Sequence, residues 1–212
     1  MVWQYLVAVA FGYLLGSVPA GYIIGKVTRG IDVREYGSRK TGGTNVLRTL
    51  GLGAAIAVIV FDVAKGSVSV LLARAISDEP YVQAAAGLAA VAGHVWPVYV
   101  GFRGGRGVSA AFGSVLAMNP LASLALVPVA ILIVATTRYM SLMSVGMAAI
   151  AAGVFAALAV ADVHPYAYAV FTLIAAALII VLHRDNIERL LSGTERKVGQ
   201  REQVGGPTPG EG

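Results

Sequence analysis

The sequence has no cysteine and little charge, and each shortage excludes something. Without cysteine there is no disulfide frame, no thiolate nucleophile and no thiolate metal ligand. Three histidines remain, and no two have metal-ligand spacing; neither a metal nor an organic cofactor is indicated. Only 13% of the 212 residues are charged, against 57% apolar. A soluble domain of this size carries about a quarter charged residues, so a water-covered globule is excluded.

The few charges are also clustered. Met1 to Gly25, Pro80 to Phe102, Gly107 to Thr137 and Tyr139 to Ala161 carry none. Roughly 20 apolar residues cross about 30 Å of hydrocarbon, so each stretch is long enough for at least one span. The first stretch has no basic leader and its apolar run is too long for a signal peptide; it reads as a span that stays. The expected architecture is an all-α polytopic integral membrane protein with about seven transmembrane helices, two of them short. They are predicted over Trp3 to Lys26, Asn45 to Ala75, Pro80 to Val100, Val108 to Met118, Leu121 to Thr137, Ser141 to Ala161 and Pro165 to His183. The Asn119-Pro120 pair separates the two short ones, because Asn-Pro is a turn signal that an intact helix resists. Residues 1–198 form the membrane domain. From about Gly199 the tail is rich in Gly, Pro and Glu and reads as disordered.

Seven crossings put Lys26, Arg29, Arg34, Arg39, Lys40, Arg48, Arg103, Arg106, Arg138, Arg184, Arg189, Arg196, Lys197 and Arg201 on one side. Only Arg74 falls on the other, and Lys65 lies within a helix. Basic residues mark the cytoplasmic side, so the N-terminus is expected outside and the C-terminus in the cytoplasm. The net charge of +5 then reports orientation and does not call for nucleic acid. Nothing in the sequence bears on oligomeric state.

Three predicted helices begin on that basic side, and each begins with a polar cluster. Helix N-termini offer unpaired N–H groups and a positive dipole end, which favour anions. Gly37-Ser38-Arg39-Lys40-Thr41-Gly42-Gly43-Thr44-Asn45-Val46-Leu47-Arg48 leads the first; Thr44 or Asn45 can cap it, and Arg48 falls on its first turn. A basic loop that merely obeys the orientation rule explains this segment equally well. Gly101-Phe102-Arg103-Gly104-Gly105-Arg106-Gly107 suggests a backbone nest for an anion, more glycine than a tight turn requires. Arg138-Tyr139-Met140-Ser141-Leu142-Met143-Ser144 sets two serines one turn apart, and a serine cap accounts for Ser141 as well. A fourth cluster, His183-Arg184-Asp185-Asn186, leaves the last span, followed by an amphipathic stretch from Ile187 to Leu191. Asp62 and Lys65 are spaced for an intrahelical pair, suited to packing or to chemistry. His94, ahead of Trp96-Pro97, suits a buried hydrogen-bonding role, and His164 an interfacial one.

These clusters, with Gly93-His94…Pro97 among them, occur in the order found in the acyl-phosphate-dependent glycerol-3-phosphate acyltransferases of bacterial phospholipid synthesis. The chain resembles that family from Gly16 to about Lys197. The resemblance implies transfer of a fatty acyl group from acyl phosphate to the 1-hydroxyl of glycerol 3-phosphate, giving lysophosphatidic acid and inorganic phosphate at the bacterial inner membrane. It implies that Ser38, Arg48, Arg106, His183 and Asn186 clamp glycerol 3-phosphate or lie at the reaction centre. Gly101, Arg103, Gly104, Gly105 and Gly107 would form a phosphate loop for the donor, and Thr44, Asn45, Ser141 and Ser144 would complete the pocket. Membrane lipid is the surrounding partner. Many members have Gly-Asn where this chain has Arg39-Lys40, and a lysine where Arg106 stands; a cationic clamp survives that second exchange, with altered geometry. Two other classes fit the residues less well: a transporter for small phosphorylated anions, and a structural membrane subunit.

Overall fold

The computed structural model describes residues 2–200. The disorder expected from about Gly199 falls chiefly on residues 201–212, outside the described ones. All regular structure among the described residues is helical. That follows from long apolar runs without water to satisfy the backbone, since only a helix pairs every N–H and C=O within one segment.

The helices are α1 (Val2–Gly16), α2 (Ala20–Arg29), α3 (Gly43–Thr49), α4 (Leu52–Ile76), α5 (Pro80–Val95), α6 (Val108–Met118), α7 (Pro120–Ala125), α8 (Val127–Thr137), α9 (Met140–Val160), α10 (Tyr166–Leu182) and α11 (Arg184–Leu191). Four segments are long and apolar enough to cross a membrane: Val2–Arg29, Leu52–Ile76, Pro120–Thr137 and Met140–Val160. The pair α10 and α11, bent by 61°, makes a fifth if taken as one. Only 6% of Pro120–Thr137 is buried although it is uncharged, so its outward faces are greasy. A soluble protein would cover such a surface; a polytopic membrane protein presents it to lipid.

Two expected helices are broken. The first bends at Ser17–Pro19, where Pro19 has no N–H to continue the helical ladder and Val18 O accepts from Ala20 N at 3.1 Å outside the regular pattern. The helix expected over Asn45–Ala75 is two helices, because Gly51 at φ 93° takes a left-handed turn between α3 and α4. Arg48 therefore lies in the last turn of a short helix. The Asn119-Pro120 break falls where expected, with Asn119 Oδ1 accepting from Ala122 N at 3.1 Å and Pro120 opening α7. Leu126 interrupts the next segment, ahead of Pro128.

Backbones approach closely where glycine permits it. A β-carbon on Gly16 of α1 would overlap the carbonyl of Ala90 on α5, and one on Gly113 of α6 would overlap that of Val63 on α4. Small residues at such crossings replace the hydrophobic drive that lipid does not provide. Phe155, Phe171, Val91 and Val70 fill the centre between α4, α5, α9 and α10. The result is a bundle whose basic segments all meet at one end.

Candidate active site

The first basic loop is organised by Asn45, which is 1% exposed. Its Nδ2 donates to the carbonyls of Val33 (2.8 Å), Tyr36 (3.2 Å) and Lys40 (2.9 Å), and its Oδ1 accepts from Ser38 N at 2.9 Å. Neither Asn45 nor Thr44 caps a helix, contrary to expectation. Gly42 holds the cap position of α3 without a side-chain bond, and Asn45 turns back to fold the loop that presents Ser38 and Lys40. Arg39 adopts φ 57°, a left-handed conformation for which glycine is better suited. Partial burial, with the nearby Arg106 charge, lowers the Lys40 amine from its ordinary value.

The glycine loop is fastened to its neighbours. Gly104 N donates to Val95 O (3.2 Å) and Gly105 N to His94 O (3.1 Å), while Arg34 Nη1 from the first loop donates to Val100 O at 2.7 Å. Those amides thus serve the loop's own attachment. Gly101 and Arg103 lie on its exposed side. Gly107, at φ 85°, starts α6 without a side-chain cap. Arg106 Nε donates to Leu182 O at 3.1 Å, at the end of α10. Burial and the nearby Arg189 charge lower its pKa, opposed by Glu195 and Asp185.

At the bend between α10 and α11, His183 Nδ1 lies 2.8 Å from Ile179 O. A carbonyl only accepts, so Nδ1 carries a proton, and the neutral ring then keeps its lone pair on Nε2. Asn186 Nδ2 donates to Glu195 Oε1 at 2.7 Å, and Arg189 Nε to Glu195 Oε2 at 2.7 Å. Burial pushes the Glu195 carboxyl up, but the Asn186 and Arg189 bonds and the Arg189 charge outweigh it and hold it below the usual carboxylate range. Because a carboxylate accepts, Asn186 must turn its Oδ1 away; that oxygen is buried without a hydrogen-bond partner among the described residues. Ser141 Oγ lies near Glu195 but makes no hydrogen bond of regular geometry, and Ser144 Oγ donates to Met140 O. The stretch after α11 crosses the basic end: Arg48 Nη2 donates to Arg196 O (3.3 Å), and Arg138 and Val198 exchange two bonds (2.7 and 2.8 Å). Glu195 was missed by reading along the sequence, since its partners lie on the preceding helix and one carboxylate in a tail carries no periodic signal.

Two cavities adjoin there. One, of about 240 Å³, is polar and ringed by Arg39, Arg48, Arg106, Arg189 and Arg196 together with Ser38, Asp185 and Glu195. The other, of about 380 Å³, has Ser38, Lys40, Thr44, Asn45, Arg106 and His183 at its mouth. From there it runs into the bundle past Ser144, Met147, Ala151, Ala130, Ile131 and Phe171. Ser38 and Arg106 belong to both. Gly101, Arg103, Gly104 and Gly105 line neither; Gly107 lines the larger. Among the described residues, no three His, Asp or Glu converge as a metal site would require.

A bundle of apolar spans with an arginine-ringed polar cavity beside a greasy one defines a class: an integral membrane protein with adjoining spaces suited to an anion and to an apolar chain. The family model for glycerol-3-phosphate acyltransferase matches residues 6–193. A glycerol-3-phosphate acyltransferase of Parasynechococcus marenigrum (strain WH8102) is 43% identical over 196 residues, covering 92% of this chain and 91% of its own. One of Shouchella clausii (strain KSM-K16) is 44% identical over 204 residues, covering 95% and 99%. The crystal structure of PlsY (YgiH), an integral membrane glycerol 3-phosphate acyltransferase, matches in its glycerol 3-phosphate form with TM-score 0.84 and 39% identity, covering 92% of this chain and 96% of that one. Its lysophosphatidic acid form matches with TM-score 0.82 and 38% identity. The chain belongs to the glycerol-3-phosphate acyltransferase family.

Proposed function

We propose that this protein transfers a fatty acyl group from acyl phosphate to the 1-hydroxyl of glycerol 3-phosphate, releasing inorganic phosphate and 1-acylglycerol 3-phosphate for phospholipid synthesis. The observation that carries the reading is the pair of cavities sharing Ser38 and Arg106. The polar one suits a small, doubly charged acceptor, and arginine forks match phosphate oxygens. The apolar one suits the donor's tail: from Met140 to Ala151 along α9 its lining covers about 17 Å at 1.5 Å per residue.

In this reading the glycerol hydroxyl oxygen attacks the donor's carbonyl carbon directly. A new C–O ester bond forms, the carbonyl-to-phosphate C–O bond breaks, and the hydroxyl proton passes to His183 Nε2 or to the departing phosphate. Acyl phosphate is already activated, so positioning and charge stabilisation by Arg106 and Arg48 are the main contributions. Asn186 lines neither cavity; through its bond to Glu195 it would hold that carboxylate in place beside the polar one. The charge distribution supports an N-terminus outside the bacterial inner membrane, with the site and C-terminus facing the cytoplasm.

Purified protein in detergent, given palmitoyl phosphate and glycerol 3-phosphate, is expected to release stoichiometric phosphate and lysophosphatidic acid. Turnover with palmitoyl-CoA instead would overturn the donor assignment. A burst of acyl-enzyme on rapid mixing would overturn direct attack.

A further inference from the structure

Three ionisable side chains outside the roles above are buried together beside the glycine loop. Asp62 and Lys65 of α4 and His94 of α5 are 2%, 6% and 5% exposed. Asp62 Oδ1 lies 2.8 Å from Lys65 Nζ and 3.3 Å from His94 Nδ1, the latter off the line of a regular hydrogen bond. Lys65 Nζ also donates at 3.1 Å to Val18 O, at the break in the first span, a carbonyl it shares with Ala20 N. Burying such a set at membrane depth is costly, and apolar side chains would join these helices more cheaply. The opposite side of the His94 ring shows what the cost supports. A β-carbon on Gly105 would overlap His94 Nε2 and lie 2.9 and 3.0 Å from Cε1 and Cδ2. The loop rests on this ring, as well as on the carbonyls of Val95 and His94, and Arg106 is the next residue.

We infer that Asp62 and His94 are a positioning pair for the phosphate-handling loop. Asp62 fixes the imidazole, the imidazole sets the height and tilt of Gly105, and Gly105 aims Arg106 into the two cavities. Lys65 balances the charge of Asp62, which lines the larger cavity with His94, so the carboxylate does not repel phosphate there, and it ties the set to the kink in the first span. The missing side chain at Gly105 and the ring at His94 are two halves of one fit. This inference rests on the reading that Arg106 grips a substrate phosphate.

The experiment is a rescue read in the KM for glycerol 3-phosphate, using purified protein and whichever of palmitoyl phosphate or palmitoyl-CoA the wild type accepts. A wild type that uses only the thioester therefore overturns the donor assignment and leaves this test intact. Gly105→Ala is expected to raise KM on the order of tenfold, within the range of coupling between touching residues. Adding His94→Ala, which removes the ring, brings KM back toward that of His94→Ala alone. Gly104→Ala is the control: its β-carbon would overlap the backbone carbonyl of His94, so His94→Ala gives it no relief. Additive losses in both double variants overturn the inference. Should Gly105→Ala melt in detergent below the assay temperature, Asp62→Asn decides: KM raised several-fold with kcat kept supports the pair, and a wild-type KM overturns it.

Discussion

The two ends of the bundle solve the same problem differently. Each has an arginine donating to a carbonyl at a helix C-terminus: Arg74 Nη2 to Ala117 O at 2.9 Å, and Arg106 Nε to Leu182 O at 3.1 Å. Arg74 spends its remaining reach on Gln83 Oε1 (3.3 Å), itself held by Tyr168 Oη (2.8 Å). Arg74 is exposed, but its fork is tied to the buried Gln83 in a polar knot that lines neither of the two cavities. Arg106 is anchored through Nε and turns the rest of its guanidinium into both. A cation tied to protein at two nitrogens and away from any cavity is a structural part; one held at a single nitrogen beside open space is available for a ligand.

Substitutions sharpen that contrast. Arg106→Ala is expected to lower kcat/KM by about 10³-fold or more, the scale of losing a preorganised charge at a reacting oxygen, with Arg106→Lys recovering part. Arg74→Ala is expected to leave kcat/KM within a few-fold and to lower the melting temperature in detergent. Equal kinetic damage at both ends would erase the distinction. His183→Ala is expected to reduce kcat by about 10²-fold if Nε2 takes the proton; rates near wild type would assign the proton to the leaving phosphate.

Glu195→Gln has a smaller effect, and pH discriminates it. The folded carboxyl is held below the ordinary glutamate range. Its bonds to Asn186 and Arg189 therefore stabilise fully above the unfolded value of about 4.3 and are lost as pH falls through the lowered folded value. The melting-temperature gap between wild type and Glu195→Gln should stay constant above about pH 5.5 and close in acid; a gap that widens in acid contradicts the assignment. The smallest effect is a gain. Arg39→Gly relieves a left-handed backbone, worth about 1 kcal/mol before glycine's own entropy cost is set against it, and should raise the melting temperature slightly.

The apolar runs, the Asn119-Pro120 break and the concentration of basic residues were legible along the chain because length and charge alone decide them. The two broken helices were not. Pro19 and Gly51 act through one residue each inside otherwise continuous apolar periodicity, and helix propensity averages over such points. Of the residues the clusters offer, Ser38 and Arg106 line both cavities, Arg48 the polar one and His183 the larger, while Asn186 lines neither and reaches the polar one through Glu195. Asn45 serves the site by a route that its place in the sequence does not show. A residue's position before a helix suggests a cap, whereas its buried amide finds four loop partners that lie up to twelve positions upstream. Glu195 and the Asp62–His94 contact were invisible because their meaning lies wholly in tertiary neighbours.

The scarcely buried segment that includes α8 contributes Val127, Ala130 and Ile131 to the deep cavity while its outer side meets lipid. One wall of the deep cavity is therefore a single helix backed by the bilayer, which is in effect part of the mould. The range of fatty tails accepted should differ between thin and thick nanodiscs, tracking the hydrocarbon that supports the wall. An enzyme built this way would read the membrane it is extending while it extends it.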